Sequence, residues 1–326
     1  MSFSVFGISI YPYGICCALA AFVILLGLCK QYACCGKAGR FTVLLILCGG
    51  IGARLLYCLV NIRDYTEGFG SLWLTLRFFD GGFSMTGLLI GFVCACLWQS
   101  KLGKESFSKT LDRLAVPLPL AILFLRAGEC FSDLGIGKIV RPNGLTQSIP
   151  WFFLQSRMGK AVEYRLNVRV YEAIAALLIF LVILWRAKEL MAYEGRTGAL
   201  FFILYGGTQI FLESLRDDGH MKIIFLRIAQ VGAAAMLLLA FDAMRKKACA
   251  VDSMGAWGSA LRWLVMLLGL SLAVAVEFSL DGRLTVGKPT AMRDYIVLGA
   301  VCVALMTVAL RTLTDSCQRL LKEEKG

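Results

Sequence analysis

The sequence predicts an all-α protein, a polytopic membrane helix bundle with a seven-span core and two further C-terminal spans. Three observations predict it. Of the 326 residues, 58% are hydrophobic and 17% charged, and the mean hydropathy of +0.72 lies far above that of a water-soluble domain. Apolar runs recur that approach the roughly 20 residues a helix needs to cross the hydrocarbon core. Lys and Arg gather after alternate runs, as they do on the cytoplasmic side of membrane proteins.

The spans are expected at residues 8–29, 41–62, 81–99, 114–131, 171–186, 198–215, 223–244, 257–278 and 294–313. No basic segment precedes the first, which carries Pro12, Tyr13 and Gly14 near its start, so it does not read as a cleavable leader and is expected to stay in the mature chain. In the second, Gly49, Gly50 and Gly52 allow close approach by a neighbouring helix, and Arg54 and Tyr57 share a face. Arg54 either bonds carbonyls at a helix end or meets a ligand. The third opens on Asp80-Gly81-Gly82-Phe83-Ser84-Met85-Thr86-Gly87, small and hydroxyl-bearing residues that suit helix packing or a headgroup.

The fourth span ends in Arg126 and Glu129, three residues apart and so on one helical face. Charged groups at membrane depth are costly and mark a functional cavity. The sixth carries Gln209, Glu213 and Arg216 on one stripe, which must turn away from lipid. That stripe is either an internal Glu213–Arg216 ion pair or part of a ligand site. The outer connection 132–170, with turn residues Pro142, Asn143, Gly144 and Pro150 and interfacial Trp151, Phe152 and Phe153, is expected to cap an outward-facing cavity.

Residues 1–247 read as a seven-span block and 248–326 as an appended hairpin without a buried polar motif, Arg262 and Glu277 lying near opposite ends of its first span. A chain cut before residue 257 is therefore expected to keep a folded core. The net charge of +12 does not indicate a nucleic-acid partner, because the basic residues cluster at Lys30–Arg40, Lys101–Arg113, Arg186–Arg196, Arg245–Lys247 and Arg311–Lys325. Those clusters predict an outside N-terminus and a cytoplasmic C-terminus. Most of the 13 cysteines lie inside spans and read as small packing residues, adjacent Cys34 and Cys35 have no second pair, and the single histidine is His220. No metal and no cofactor are expected.

In order and placement these pieces resemble the prolipoprotein diacylglyceryl transferase family. They are Tyr13-Gly14, the run Gly52 to Tyr57, the run Asp80 to Gly87, Arg126-Ala127-Gly128-Glu129 through Gly137, Tyr171-Glu172, Glu213 with Arg216, and Gln230, spread over roughly residues 5–247. The resemblance implies a multi-pass protein of the bacterial cell (inner) membrane that moves diacylglyceryl from phosphatidylglycerol to the thiol of a lipoprotein-precursor cysteine. It implies a lipid-filled cavity in which Glu129, Arg126 and Tyr13 are catalytic and Arg54, Thr86, Gln209, Glu213 and Arg216 bind substrate. The chain departs from the family's pattern at Thr86, where the family has His, at Glu129, where it has Asn, at Gln209, where it has Arg, and at Leu134, where it has Glu. Glu129 either replaces the lost His as general base or pairs with Arg126. Three functions stay open: a transferase, a non-catalytic lipid-binding or partner protein, and a flippase, for which no inverted repeat is visible.

Overall fold

The computed structural model describes residues 3–5, 8–32, 34–68, 73, 75, 77, 82–132, 134–141, 144–158, 161–217, 221–223, 225–250, 254–282 and 291–317. Asp80, Gly81, His220 and Lys325 lie outside the described residues. A short antiparallel hairpin, β1 (Phe3–Val5) and β2 (Ile8–Ile10), precedes α1 (Pro12–Gln31). α1 begins on Pro12, whose missing N–H falls where a helix leaves its donors unpaired anyway.

α2 (Cys35–Val60) and α3 (Met85–Gly103) lie nearly backbone to backbone. A Cβ on Gly52 would meet the Gly87 carbonyl and one on Gly91 the Cys48 carbonyl; of the glycines read in the sequence, Gly52 sets this contact and Gly49 receives the Phe92 ring, whereas a Cβ on Gly50 would meet nothing within 4 Å. Ser84 caps α3 by accepting the Gly87 N–H at 3.2 Å. The predicted fourth span is two helices, α4 (Phe107–Ala115) and α5 (Leu118–Glu129). Pro117 stands between them and lacks the donor that would continue the ladder.

The connection between α5 and the next long helix is structured. β3 (Ile136–Val140), a turn of helix α6 (Gly144–Ser148), β4 (Phe153–Met158) and β5 (Ala161–Asn167) build an antiparallel sheet in the order β3-β5-β4. Turn residues alone pointed to a loop there, but Val162, Tyr164 and Leu166 alternate with Glu163, Arg165 and Asn167, the period of a strand. The chain continues through α7 (Val168–Leu190), α8 (Arg196–Ser214), the two-residue strands β6 (Lys222–Ile223) and β7 (Leu226–Arg227), α9 (Ile228–Ala250), α10 (Ala256–Leu280) and α11 (Ala291–Asp315).

Among the described residues seven helices are long and apolar enough to cross a membrane: α1, α2, α3, α7, α9, α10 and α11. Of the nine expected, those at 114–131 and 198–215 are not among them. α5 has only 12 residues, about 18 Å at 1.5 Å per residue. α8 is surrounded by protein and buried on nearly every face, so it is shielded from lipid by its neighbours and carries more polar residues.

The α8 N-terminus is held by Asp112 of α4, whose carboxylate accepts the Gly195 N–H at 2.5 Å and the Gly198 N–H at 2.7 Å. A buried acceptor there satisfies donors that the helix itself leaves open. Burial pushes the Asp112 acid from 3.8 up to about 6. Because the folded-state value is raised, this group's contribution to stability falls as pH rises from about 4 to about 6. Asp112→Ala is expected to cost about 1–3 kcal/mol in chemical denaturation, since it strands buried donors. Asp112→Asn should cost less and flatten the pH dependence.

α10 and α11 are not the bare apolar hairpin the sequence suggested. Glu277 and Asp294 are buried, at 8% and 7% exposure. The Glu277 carboxylate accepts from Gln230 of α9 at 2.7 Å, Arg245 of α9 donates to Ser259 at 2.9 Å, and Arg196 of α8 donates to the Ser316 hydroxyl and carbonyl. Gly207 of α8 lies directly against the Met306 side chain of α11. Deleting residues 257–326 is thus expected to bare α8 and lower the melting temperature in detergent, the opposite of a separable core.

Candidate functional site

Three helix ends bring charge to one place in the bundle. The last turn of α5 delivers Arg126 and Glu129, the first turn of α7 delivers Glu172, and the end of α8 delivers Gln209, Glu213 and Arg216. Arg126 Nη1 lies 2.5 Å from Glu129 Oε1, and its Nε lies 3.3 Å from Glu172 Oε2. Arg216 Nη2 lies 2.6 Å from Glu172 Oε2 and 3.1 Å from Glu129 Oε2, while its Nε is a looser 3.8 Å from Glu213. Gln209 Nε2 donates to Glu172 at 2.7 Å and to Glu213 at 3.0 Å. All six side chains are buried. Taking this much charge out of water is tolerable only because each carboxylate faces a guanidinium or an amide donor.

A surrounding set of bonds fixes the cluster. Arg169 Nη1 donates to the carbonyls of Glu129 and Ser132 at 2.6 and 2.7 Å, and its Nε to Asn167 at 2.9 Å. Arg227 Nη2 donates to the Arg216 carbonyl at 2.9 Å, and Gln230 Oε1 accepts the Arg227 N–H at 3.1 Å. The sheet docks on the same stretch: the Lys138 N–H donates to Leu215 O at 3.0 Å and the Asp217 N–H to Ile136 O at 2.9 Å. The sheet therefore packs against the polar cluster.

Arg126 and Glu129 also form part of the wall of a cavity of about 660 Å³, whose lining is mostly apolar and includes Tyr13, Cys17, Leu88, Leu125 and Phe131. A smaller cavity of about 60 Å³ shares Arg126 and Glu129 and reaches Glu213, Arg216 and Arg227. Arg126 Nη2 is fully buried, and Tyr205 is buried beside the guanidinium. A guanidinium that borders a cavity is a place for an anionic ligand group.

Of the residues singled out in the sequence, Arg126, Glu129, Gln209, Glu213 and Arg216 come together, and Tyr13 faces the same cavity. Arg54 and Thr86 stand elsewhere. Arg54 donates to the carbonyls of Thr75 at 3.0 Å and Gly82 at 3.4 Å, with the Tyr65 ring 5.9 Å from its guanidinium carbon. Its helix neighbours Ala53 and Tyr57 line the cavity instead. Gly82 has φ +72°, and a Cβ there would strike the Tyr57 ring, so only glycine lets this segment close on the cavity wall. Thr86 is buried against Gly232 of α9. Glu172, Arg169, Arg227 and Glu277 escaped selection as site residues. Arg169 and Glu172 repeat the three-residue spacing of Arg126 and Glu129 at a span end, and that signal was available.

The fold and the site define a multi-pass membrane protein with a neutralised arginine–carboxylate cluster set into the wall of an apolar cavity. The family model for prolipoprotein diacylglyceryl transferase matches residues 1–244, and the chain belongs to that family. It is 29% identical over 203 residues to the phosphatidylglycerol–prolipoprotein diacylglyceryl transferase of Thermotoga petrophila, covering 60% of this chain and 65% of that protein. The proteins of the same name from Finegoldia magna and Clostridioides difficile are 26% identical over 249 residues and 27% over 235. Those matches cover 73% of this chain and 91% of the first protein, and 71% and 88% for the second. The chain thus spans just under two thirds of the Thermotoga relative's length. These relatives are bacterial.

Proposed function

We propose that the protein transfers the diacylglyceryl group of a glycerophospholipid to the cysteine thiol of a lipoprotein precursor, the reaction its relatives' names describe with phosphatidylglycerol as donor. The observation that carries this reading is the paired Arg126 and Glu129 in the wall of a lipid-sized, mostly apolar cavity. A lipid phosphate docks at Arg126 with its acyl chains along Leu88, Leu125 and Phe131. Charge held there stabilises the phosphate as it departs, in a site preorganised by Glu172, Gln209, Glu213 and Arg216. The thiol sulfur attacks the glyceryl carbon, the C–S bond forms as the C–O bond breaks, and the thiol proton ends on the departing phosphate monoester.

Tyr13 offers its hydroxyl to the headgroup. Glu129, with its oxygens facing Arg126 and Arg216, is the counter-charge that the phosphate meets on arrival; to accept a proton as a base it must first release one of them. Arg54 acts at one remove by holding the Gly82 segment against the cavity, and Thr86 by seating α3 on α9. Residues 1–247 carry this chemistry, with 248–326 as the buttress of α8 and α9. The N-terminus lies outside and the C-terminus in the cytoplasm; cysteines introduced near Lys246 should resist impermeant reagents in intact cells, while those in residues 144–148 should react.

The decisive experiment incubates purified protein with a phospholipid and a lipobox peptide and follows the peptide mass. A gain of one diacylglyceryl group on the cysteine is expected. Phospholipid binding without any peptide modification would favour a binding protein, a reading supported by the engagement of both Glu129 oxygens by arginine.

A further inference from the structure

Three cavities lie in a row. The large apolar one shares Arg126 and Glu129 with the cavity of about 60 Å³, and that one shares Glu213, Arg216 and Arg227 with a third, of about 30 Å³. Charged and amide side chains line most of the third, and both small cavities have room for water. The third reaches the surface at the exposed Lys222. One side of its mouth is Glu277, Leu280 and Asp281 of α10, beyond the residues that the family model matches.

Cations succeed one another along the row: Arg126, then Arg216 and Arg227, then Lys138 and Lys222. The three arginines are held in the cluster and its frame, but the two lysines are not. Glu277 in the same wall accepts from Gln230 at 2.7 Å, and Asp217 of the adjoining segment faces Arg165 at 3.3 Å. Neither lysine has an ion-pair partner among the described residues. The Lys138 Nζ stands 5.1 Å from the centre of the Tyr295 ring, a weak substitute for an anion. Burial, with Lys222 and Arg227 close by, pulls the half-buried Lys138 ammonium below the ordinary lysine range in spite of Glu277. An arriving anion supplies the counter-charge that both amines lack.

Resting on the transferase reading above, we propose that Lys138 and Lys222 form a phosphomonoester site at the end of this row, where the glycerol phosphate released by transfer docks before it leaves the protein. Breaking the glyceryl C–O bond turns a phosphodiester with one negative charge into a monoester carrying about two, and removes its acyl chains. The apolar cavity then no longer suits the product, and the pair of amines suits it better. With α10 forming part of the mouth, the C-terminal extension takes part in product release.

The test titrates the purified full-length protein with glycerol 1-phosphate, inorganic phosphate and glycerol, and follows lipidation of a lipobox peptide from phosphatidylglycerol with glycerol 1-phosphate added. The wild type is expected to bind glycerol phosphate, to ignore glycerol and to be inhibited by this product. Lys138→Gln with Lys222→Gln should weaken binding about tenfold, a difference of about 1.4 kcal/mol, and relieve the inhibition to match, while single-turnover lipidation keeps its rate. Lys138→Arg with Lys222→Arg should bind as the wild type does. Should the Gln pair fail to fold, protection of the two wild-type lysines from an amine-reactive label by glycerol phosphate, read by peptide mass, decides. Unprotected lysines, or an affinity unchanged in the Gln pair, overturn the site, and peptide lipidation in the same preparation then leaves the transferase reading standing. Tighter binding of inorganic phosphate than of glycerol phosphate overturns the assignment to the product. Lysine-dependent binding of glycerol phosphate with no peptide lipidated overturns the transferase reading and sustains the phosphomonoester site.

Discussion

Arg126→Lys is expected to abolish high-affinity phospholipid binding, whereas Arg54→Lys should leave most of it. The Arg126 guanidinium spans Glu129 with Nη1 and approaches Glu172 with Nε, and the residue borders the cavity. An ammonium is a point charge on a flexible stem and cannot hold two carboxylates and a phosphate in one plane. Losing a buried charged contact of this kind costs roughly 2–5 kcal/mol, which is at least tenfold in affinity. Arg54 spends its donors on the Thr75 and Gly82 carbonyls, so a lysine there loosens a loop and leaves the phosphate donor in place. Titration of both variants with one short-chain phospholipid, alongside their melting curves, makes the comparison. Equal losses at the two positions would remove Arg126 from its headgroup role.

The second large effect is on folding. Glu172→Ala is expected to destabilise the protein by about 3–5 kcal/mol, the cost of removing one partner from a buried ion pair. Glu172 is 3% exposed and is approached by Arg126 at 3.3 Å, Arg216 at 2.6 Å and Gln209 at 2.7 Å. Its loss leaves two guanidinium groups sharing Glu129 and Glu213. Glu129→Ala should cost less, since Glu129 borders the cavity and water can replace part of what it contributes. Detergent-resolved thermal or urea unfolding of the two variants ranks them, and a Glu172 variant as stable as wild type would show that the cluster is held by packing alone.

Part of this site could be read directly from the chain. Arg126 with Glu129, and Gln209 with Glu213 and Arg216, are three or four residues apart, and a helix places such residues on one face whatever surrounds it. Membrane depth then says that both faces must turn inward. Most of the spans were legible for a similar reason, since length and hydropathy are local properties of a segment. The break at Pro117 followed from a single missing donor, although the run around it read as one span.

What the chain could not declare is which inward faces meet. Arg126 and Arg216 are 90 residues apart in sequence, and they share Glu129 and Glu172 only because the ends of α5, α7 and α8 converge beside the β3-β5-β4 sheet. The spacing that marked Arg54 is as regular as that of Arg126, yet the α2–α3 glycine contact turns it toward the Thr75 and Gly82 carbonyls. Glu277 looked like a span-end charge free to reach the interface until α10 packed on α9 and met Gln230. Periodicity determined which side chains leave lipid, because one turn of helix suffices to decide it. Which buried charge neutralises which was decided by tertiary packing, because an ion pair in a low-dielectric interior depends on contacts of a few ångströms that no local spacing encodes.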